Sequence, residues 1–326
     1  MTMNNTDISG IIEILKEKND FVLLSHTNPD GDTVGSVTAF CLMLRRMGKR
    51  VRCLCDKEIP ERLRFICGDI YDDDYVISDS EYVISLDVAS GAMLGEKLEK
   101  YAERVDLRID HHAKGSDFAK LNYVEPGASS CGEIVFDICA AMELTDPDTA
   151  SAIYAAISSD TGCFRYSNTT AKTHMSAAYL ISLGAAHSEI NEALFDTVTV
   201  GELGIYPLFL DNFKSLYGGK VTLVSVSNEE KKKRGMCDTD LDELSSLTRK
   251  VNGAYLGIVL KQVDGSQDKF KVSMRSRRQV DCSVICSELG GGGHVRASGA
   301  TITADSLEDA EKILIDTLQK TLVIKE

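Results

Sequence analysis

Three side chains able to hold a metal ion crowd one polar turn. His26, Asp30 and Asp32 lie in Ser25-His26-Thr27-Asn28-Pro29-Asp30-Gly31-Asp32, directly after the apolar run Phe21-Val22-Leu23-Leu24. Asn-Pro and Asp-Gly are turn signals, so these groups share a tight loop. The same chemistry recurs three times. Val83-Ile84-Ser85-Leu86 ends in Asp87, Leu107-Arg108-Ile109 ends in Asp110-His111-His112, and a helical stretch ends in Ser158-Ser159-Asp160. Carboxylates and imidazoles without thiolates suit Mn²⁺, Co²⁺ or Mg²⁺ better than a soft metal. Two metals ~3.5–4 Å apart need several carboxylates, at least one of them bridging; such a pair activates a water and clamps a phosphoryl group. The bland alternative for the first loop is a helix entry in which Asp32 caps a run beginning at Val34. Recurrence at four element ends favours the metal site.

The elements that must position these groups alternate. Apolar spacing gives a helix over 8–18, strand 21–25, a helix over 34–47 stopped by Gly48, strand 50–55 and a short helix near 60–66. Strand 83–87, a helix near 95–104 and strand 107–110 follow. Strands alternating with helices predict an α/β fold with a doubly wound, mostly parallel sheet, whose ligands sit beyond the carboxyl ends of its strands. Ser130-x-x-Glu133 fits a capping box, so Ser129 and Ser130 are not read as nucleophiles. Asp146-Pro147 opens the next helix. Helices at 171–183 and roughly 188–215 close the first domain. A smaller α/β domain follows: strand 220–226, a helix near 240–248, strands 254–262 and 269–275, a helix at 281–289, strand 298–303 and helix 306–320. The expected division is a catalytic domain over 1–190, a helical linker over 191–215 and a second domain over 216–326.

Composition narrows the class. The chain has 326 residues, 43% of them hydrophobic, and no apolar run of membrane-spanning length. No basic segment followed by an apolar one opens the sequence, and the ten cysteines are scattered in mostly apolar contexts. Both features point to a reducing cytoplasm. Cys53-x-Cys55 reads as packing, Asp72-Asp73-Asp74 as a solvated loop, and Lys231-Lys232-Lys233-Arg234 as a solvated helix end. The net charge of −14 is uneven: residues 1–215 hold 19 Lys and Arg against 34 Asp and Glu, residues 216–326 hold 17 against 16. A protein that tracks long nucleic acid needs a basic stripe, and this one lacks it. An acidic domain can still hold an anion through divalent metals.

Asn28-Pro29-Asp30-Gly31-Asp32, Asp87, Asp110-His111-His112 and Ser159-Asp160-Thr161-Gly162 together resemble the four motifs of the DHH phosphoesterase family. Gly290-Gly291-Gly292-Gly293-His294 with Ala297-Ser298-Gly299 resembles the glycine-rich signature of the DHH-associated C-terminal domain. Ser298 stands where that family often has alanine. Length and layout are similar to the nanoRNase and pAp-phosphatase branch. The resemblance implies that His26, Asp30 and Asp87 hold one metal. It implies that Asp32, Asp87, His111 and Asp160 hold the other, with Asp87 bridging. His112 would contact the substrate phosphate, Asp110 would orient an imidazole, and Arg165 would lie near the site.

The second domain has its own logic. The glycine run is no P-loop, since neither Lys-Ser nor Lys-Thr follows it. It does let backbone approach a ligand closely and offer N–H groups to an anion. Arg275, Ser276, Arg277, Arg278 and Arg296 bracket it in sequence, and arginine suits phosphates and bases. Arg275, Ser276, Gly291, Gly292, Gly293 and His294 are the expected substrate contacts. The expected activity is two-metal hydrolysis of oligoribonucleotides of about two to five residues, of 3′-phosphoadenosine 5′-phosphate, or of both, held between the two domains. Mn²⁺ is the foremost cofactor, with Mg²⁺ or Co²⁺ as alternatives; long duplex nucleic acid and membranes are not expected partners, and a homodimer is allowed. A phosphodiesterase for cyclic dinucleotides or pApA would share every ligand. A pyrophosphatase would share the N-terminal motifs only. A nucleotide sensor with a dead site is disfavoured because no ligand position is substituted.

Overall fold

Four consecutive apolar residues, Phe21 to Leu24, are buried on both sides of the first strand, as a parallel sheet covered on two faces requires. The computed structural model describes residues 5–72, 75–113, 115–116, 118–199, 203–238, 241, 244–277 and 279–324, with backbone only at His294. Asp73, Asp74, Arg278 and the His294 side chain, all singled out from the sequence, therefore lie outside the described residues. Two compact units divide the chain, Met1–Thr197 and Val198–Glu326.

The first unit comprises α1 (Ile8–Glu17), β1 (Asp20–Leu24), α2 (Gly31–Arg46), β2 (Arg50–Leu54), α3 (Arg64–Cys67), β3 (Tyr82–Leu86), β4 (Leu107–Asp110), β5 (Leu121–Val124), α4 (Cys131–Ala141), α5 (Pro147–Asp160), α6 (Ala171–Ser182) and α7 (His187–Asn191). Its five strands are all parallel, in the order β2-β1-β3-β4-β5. The chain leaves β1 toward β2 on one side and returns to β3 on the other. That reversal is the topological switch point at which such sheets bind ligands. One face packs Phe21, Leu23, Ile84, Leu86, Leu107 and Ile109 against α1, α2, α4 and α5. The other packs Val22, Leu24 and Val83 under Leu94 and Leu98. There the helix expected near 95–104 is replaced by 3₁₀ turns, Gly91–Leu94 and Glu99–Arg104. The chain breaks between them at Gly95, whose φ is 84°.

Caps explain where the helices begin. Asp30, not Asp32, caps α2, accepting from the Thr33 amide at 3.0 Å. The helix therefore starts three residues before the expected Val34, and Asp32 falls inside its first turn. Ser130 caps α4 by accepting from Glu133 N at 3.1 Å, whereas the Glu133 carboxylate accepts from Ser129 N at 2.7 Å. Asp146 caps α5 with Pro147 at the first position. Small residues then let α2 and α5 touch backbone to backbone. A Cβ at Gly35 would lie 2.5 Å from Ala152 O and 2.9 Å from Ala156 Cβ. This contact brings the start of α2 to the end of α5.

The second unit comprises α8 (Ile205–Asn212), β6 (Phe213–Leu216), β7 (Val221–Val226), α9 (Asn228–Arg234), α10 (Leu244–Lys250), β8 (Leu256–Gln262), β9 (Lys269–Ser276), α11 (Cys282–Glu288), β10 (Gly292–His294), β11 (Ala297–Thr303) and α12 (Leu307–Thr321). Its sheet runs β10-β11-β9-β8-β7-β6, parallel only between β7 and β8. Leu223, Ile258, Phe270 and Val272 pack with Ile285, Leu314 and Leu318. The single helix expected over 188–215 is instead α7, a π-helical turn at Glu192–Asp196, and α8, after which 213–216 form an edge strand. Pairing of β6 with β7 satisfies backbone groups that a longer helix would have kept.

Gly35→Val should lower the unfolding free energy by about 1–3 kcal/mol. The expected reading is a lower urea midpoint with an unchanged slope. An unchanged midpoint would mean that α2 and α5 do not meet there.

Candidate metal centre

The candidate ligands of the first unit sit on loops or helix ends at the carboxyl edge of the sheet. His26 follows β1, Asp87 follows β3, His111 and His112 follow β4, Asp30 and Asp32 open α2, and Asp160 ends α5. Asp87 leaves β3 with φ 60°, a left-handed conformation that costs a non-glycine residue energy and that aspartate tolerates better than most. Its amide donates to Ile109 O at 3.0 Å, which holds the turn.

The side chains converge on Asp87. His26 Nε2 lies 3.7 Å from Asp87 Oδ2, while His111 Nε2 and His112 Nδ1 each lie 3.6 Å from Oδ1. His111 Nε2 is also 3.7 Å from Asp32 Oδ2 and 4.0 Å from Asp160 Oδ2. Two groups have donor atoms close enough to share an ion: His26, Asp30 and Asp87, and Asp32, His111 and Asp160. A third, Asp87, Asp110, His111 and His112, meets the same distance condition. Asp87 Oδ1 is buried and has no hydrogen-bond partner among the described residues. A buried carboxylate oxygen left unpaired between imidazoles fits a divalent cation, and an all-oxygen and nitrogen donor set fits the harder ones.

Asp110 separates from the others by its hydrogen bonds. Oδ1 accepts from His111 N at 2.8 Å, His112 N at 3.2 Å and His112 Nδ1 at 2.7 Å. Oδ2 accepts from Arg108 Nε at 3.2 Å and from Arg108 Nη2. Five N–H donors leave this carboxylate no capacity for an ion. Because the carboxylate only accepts, Nδ1 of His112 carries a proton toward it; Asp110 does not engage Nε2, and the side chain is about one-third exposed.

Charge crowding shifts these groups in a consistent direction. Burial, reinforced by Asp87, Asp160 and Asp30, pushes Asp32 well above the ordinary carboxylate range, although the Gly132 amide pulls the other way. Burial raises Asp160 to about 6, and Asp87 and Asp30 add to this against His111. Burial alone would lower His26, but the Asp87 carboxylate 3.7 Å away outweighs it and leaves it raised. The Asp110 hydrogen bond raises His112 to about 9. Asp110 is lowered, since His112 and Arg108 together overcome its burial. The carboxylates outnumber the cations around Asp87, which is the field a metal reverses.

Several supporting residues were not singled out from the sequence. Thr33 Oγ1 lies 2.6 Å from His26 Nε2 and donates to Asp87 Oδ2 at 2.5 Å. Asp32 accepts from Cys131 N at 2.8 Å and Gly132 N at 2.9 Å, the first turn of α4. Asn168 Nδ2 reaches Asp160 Oδ2 at 3.2 Å and Ser129 O at 2.8 Å. It gets there because Gly162, Cys163 and Phe164 are three successive left-handed residues that fold the chain back. The one available clue was Arg108, a charge inside an apolar strand pattern.

The other expected contacts are placed differently. Arg165 is exposed, donates from Nε to Gly162 O at 2.5 Å and lies 5.7 Å from the Phe195 ring centre. In the second unit, Arg275 pairs across the sheet with Ala297 and donates from Nη1 to Met274 O at 3.0 Å. Ser276 is buried and its hydroxyl donates to Val280 O at 2.7 Å, so it closes a turn. Gly292, Gly293 and His294 pair with Gly299, Ser298 and Ala297. A Cβ at Gly291 would lie 2.6 Å from Ala300 Cα, and one at Gly293 2.8 Å from Ala297 O. Those two glycines are required by the chain's own hairpin, whereas Gly292 faces open space.

A model of the N-terminal domain of the DHH family matches residues 20–157, and one of the DHHA1 domain matches residues 198–320. The bifunctional oligoribonuclease and PAP phosphatase NrnA of Thermus thermophilus is 26% identical over 317 residues, covering 96% of this chain and 93% of that protein. Its namesake in Bacillus subtilis is 25% identical over 315 residues, covering 94% and 96%. The crystal structure of an exopolyphosphatase-related protein from Bacteroides fragilis has the same fold, with TM-score 0.88 at 23% identity over 96% of this chain and 95% of that one. The chain thus belongs to the DHH family, carrying a DHH domain in its first unit and a DHHA1 domain in its second.

Proposed function

We propose that this enzyme hydrolyses phosphoester bonds in very short oligoribonucleotides and in 3′-phosphoadenosine 5′-phosphate, using two divalent cations, Mn²⁺ foremost. The observation that carries the reading is Asp87, whose two oxygens face different ligand groups and whose Oδ1 has no protein partner among the described residues. The names of the two relatives support the substrate class. His26, Asp30 and Asp87 would hold one ion; Asp32, Asp87, His111 and Asp160 would hold the other. When bound, such a pair supplies a nucleophile at neutral pH and Lewis acidity toward a phosphoryl oxygen. His112, held by Asp110 with its proton on Nδ1, presents Nε2 to the substrate phosphate and stabilises charge that develops there. Arg275 and the backbone around Gly292 are proposed to contact the remainder of the nucleotide. No helix among the described residues is long and apolar enough to cross a membrane.

Since the donors are all Asp and His, excess chelator should abolish activity, and Mn²⁺ should restore it better than Mg²⁺. Full turnover in chelator would sink the two-metal reading. The adjacent histidines should also separate by role. His111→Ala should lose ion occupancy at one site, whereas His112→Ala should bind both ions and turn over slowly. Metal content of the two purified variants decides the matter, and equal loss in both would refute the assignment.

Substrate length should matter as well. Each nucleotide beyond the first few brings a phosphate toward an acidic unit, a repulsion screened over roughly 8 Å at physiological salt but repeated per residue. kcat/KM should therefore peak at about two to five nucleotides and fall steeply beyond them. Arg275→Ala should raise KM for a dinucleotide more than it lowers kcat, as a contact remote from the reacting bond does. A length series of 5′-labelled RNA at two salt concentrations tests both points. Cleavage of 20-mers as efficient as that of 3-mers would overturn the short-substrate reading.

A further inference from the structure

Strand β4 carries a charged side chain where its pattern calls for an apolar one. Arg108 is 3% exposed, and Asp110, two residues on and so on the same strand face, is fully buried. Its neighbours across the sheet are Ser85 and Asn122. Leu107 and Ile109 point the other way, into the helices. Burying a guanidinium costs desolvation that an apolar residue would avoid, so a specific demand has to account for it.

The contacts of Arg108 identify that demand. Nε and Nη2 both hold Asp110 Oδ2, and Nη1 donates to Ser116 O at 3.5 Å. The guanidinium carbon lies 5.9 Å from the Phe118 ring centre. Ser116 is itself tied down, its amide donating to Ala89 O at 3.0 Å. A Cβ at Gly115 would approach Arg108 Nη2 to 2.9 Å. Residues just beyond His111 and His112 thus close over the guanidinium.

With Oδ2 occupied, Asp110 offers only Oδ1 to the histidines, and Oδ1 takes both their amides and His112 Nδ1. A carboxylate held at one oxygen by two N–H groups cannot swing about its own Cβ–Cγ bond. The imidazole bonded to the other oxygen is then fixed in orientation, with its Nδ1 proton held in that bond. We infer that Arg108 is a positioning residue for the hydrolysis: it pins Asp110 so that His112 keeps its proton on Nδ1 and its Nε2 toward the substrate. This rests on the function proposed above. Among the described residues, the hydrogen bonds of the Arg108 side chain go to Asp110 and Ser116 and to none of the proposed metal ligands.

Arg108→Lys keeps the charge and loses the paired grip; Arg108→Met loses both. For each folded variant, kcat and KM on a labelled trinucleotide, ion content and the thermal midpoint should be measured beside the unaltered enzyme. Imidazole ¹H–¹⁵N spectra with Mg²⁺ complete the set. Arg108→Lys should bind the same number of ions and lower kcat about 10–100-fold, with KM within about twofold. The His112 Nδ1 proton should be protected in the unaltered enzyme and exchange readily in the variant. Unchanged kcat in a folded variant, loss of ions, a change confined to KM, or an unaltered Nδ1 resonance would each overturn the assignment. So would an unaltered enzyme whose His112 carries no proton on Nδ1. If Arg108→Met does not fold, Arg108→Lys decides. If the unaltered enzyme turns over no nucleotide substrate, the proposed function fails by itself, and the imidazole spectra still decide whether Arg108 orders His112.

Discussion

Carboxylates brought together at the edge of a parallel sheet repel one another, and most of the local structure of the first unit acts to contain that repulsion. Asp30 is spent partly on capping α2, where the helix dipole favours an anion. Asp32 sits in the same first turn and also accepts two amides from the start of α4, so two helix N-termini face it. Asp87 receives the Thr33 hydroxyl, and Asp110 receives an arginine. Asp160 is the exception. It occupies the last residue of α5, the end of a helix that disfavours an anion; among the described residues its carboxylate accepts from the Asn168 amide, with His111 Nε2 4.0 Å away. Burial, with Asp87 and Asp30 close by, raises its proton affinity. A cation would relieve it.

Position follows from topology. The loop after β1 and the turn after β3 flank the switch point, so His26 and Asp87 meet without any long excursion of the chain. Asp160 reaches them from a helix rather than a strand. The close approach of α2 and α5 at Gly35 and Ala156 therefore sets the site as much as the sheet does. A packing contact about one turn from each of them thus helps to set the separation of Asp32 from Asp160.

The sequence made the Asp and His cluster legible because three of its groups follow apolar runs short enough to be buried strands and the fourth ends a helix. Pattern and order together carried the family resemblance and the α/β organisation. What it hid was bonding that depends on distant partners. Asp30 and Asp32 are both plausible caps by spacing, and only the Thr33 amide distinguishes them. The 3₁₀ turns over 91–104 look helical in composition, yet the chain must turn at Gly95. The stretch 188–215 is apolar at helical spacing throughout, and edge pairing with β7 won at its end. The glycine run read as ligand-facing backbone, but two of its members are demanded by β11 across the hairpin.

The histidine pair shows how one carboxylate assigns two neighbours different work. His111 and His112 are adjacent, with ring centres 4.6 Å apart. Residue type alone gives them equal standing, and only the family resemblance separates their expected roles. Asp110 is satisfied by five N–H groups and cannot itself hold an ion, so whichever imidazole it binds through Nδ1 has one nitrogen committed. Only His112 is bound in this way. His111 gives Asp110 its backbone amide and keeps Nε2 among Asp32, Asp87 and Asp160. The division of labour is therefore fixed by hydrogen-bond capacity. That capacity is exhausted because Arg108 takes the second oxygen, which places the origin of the asymmetry inside strand β4, beneath the two histidines it separates.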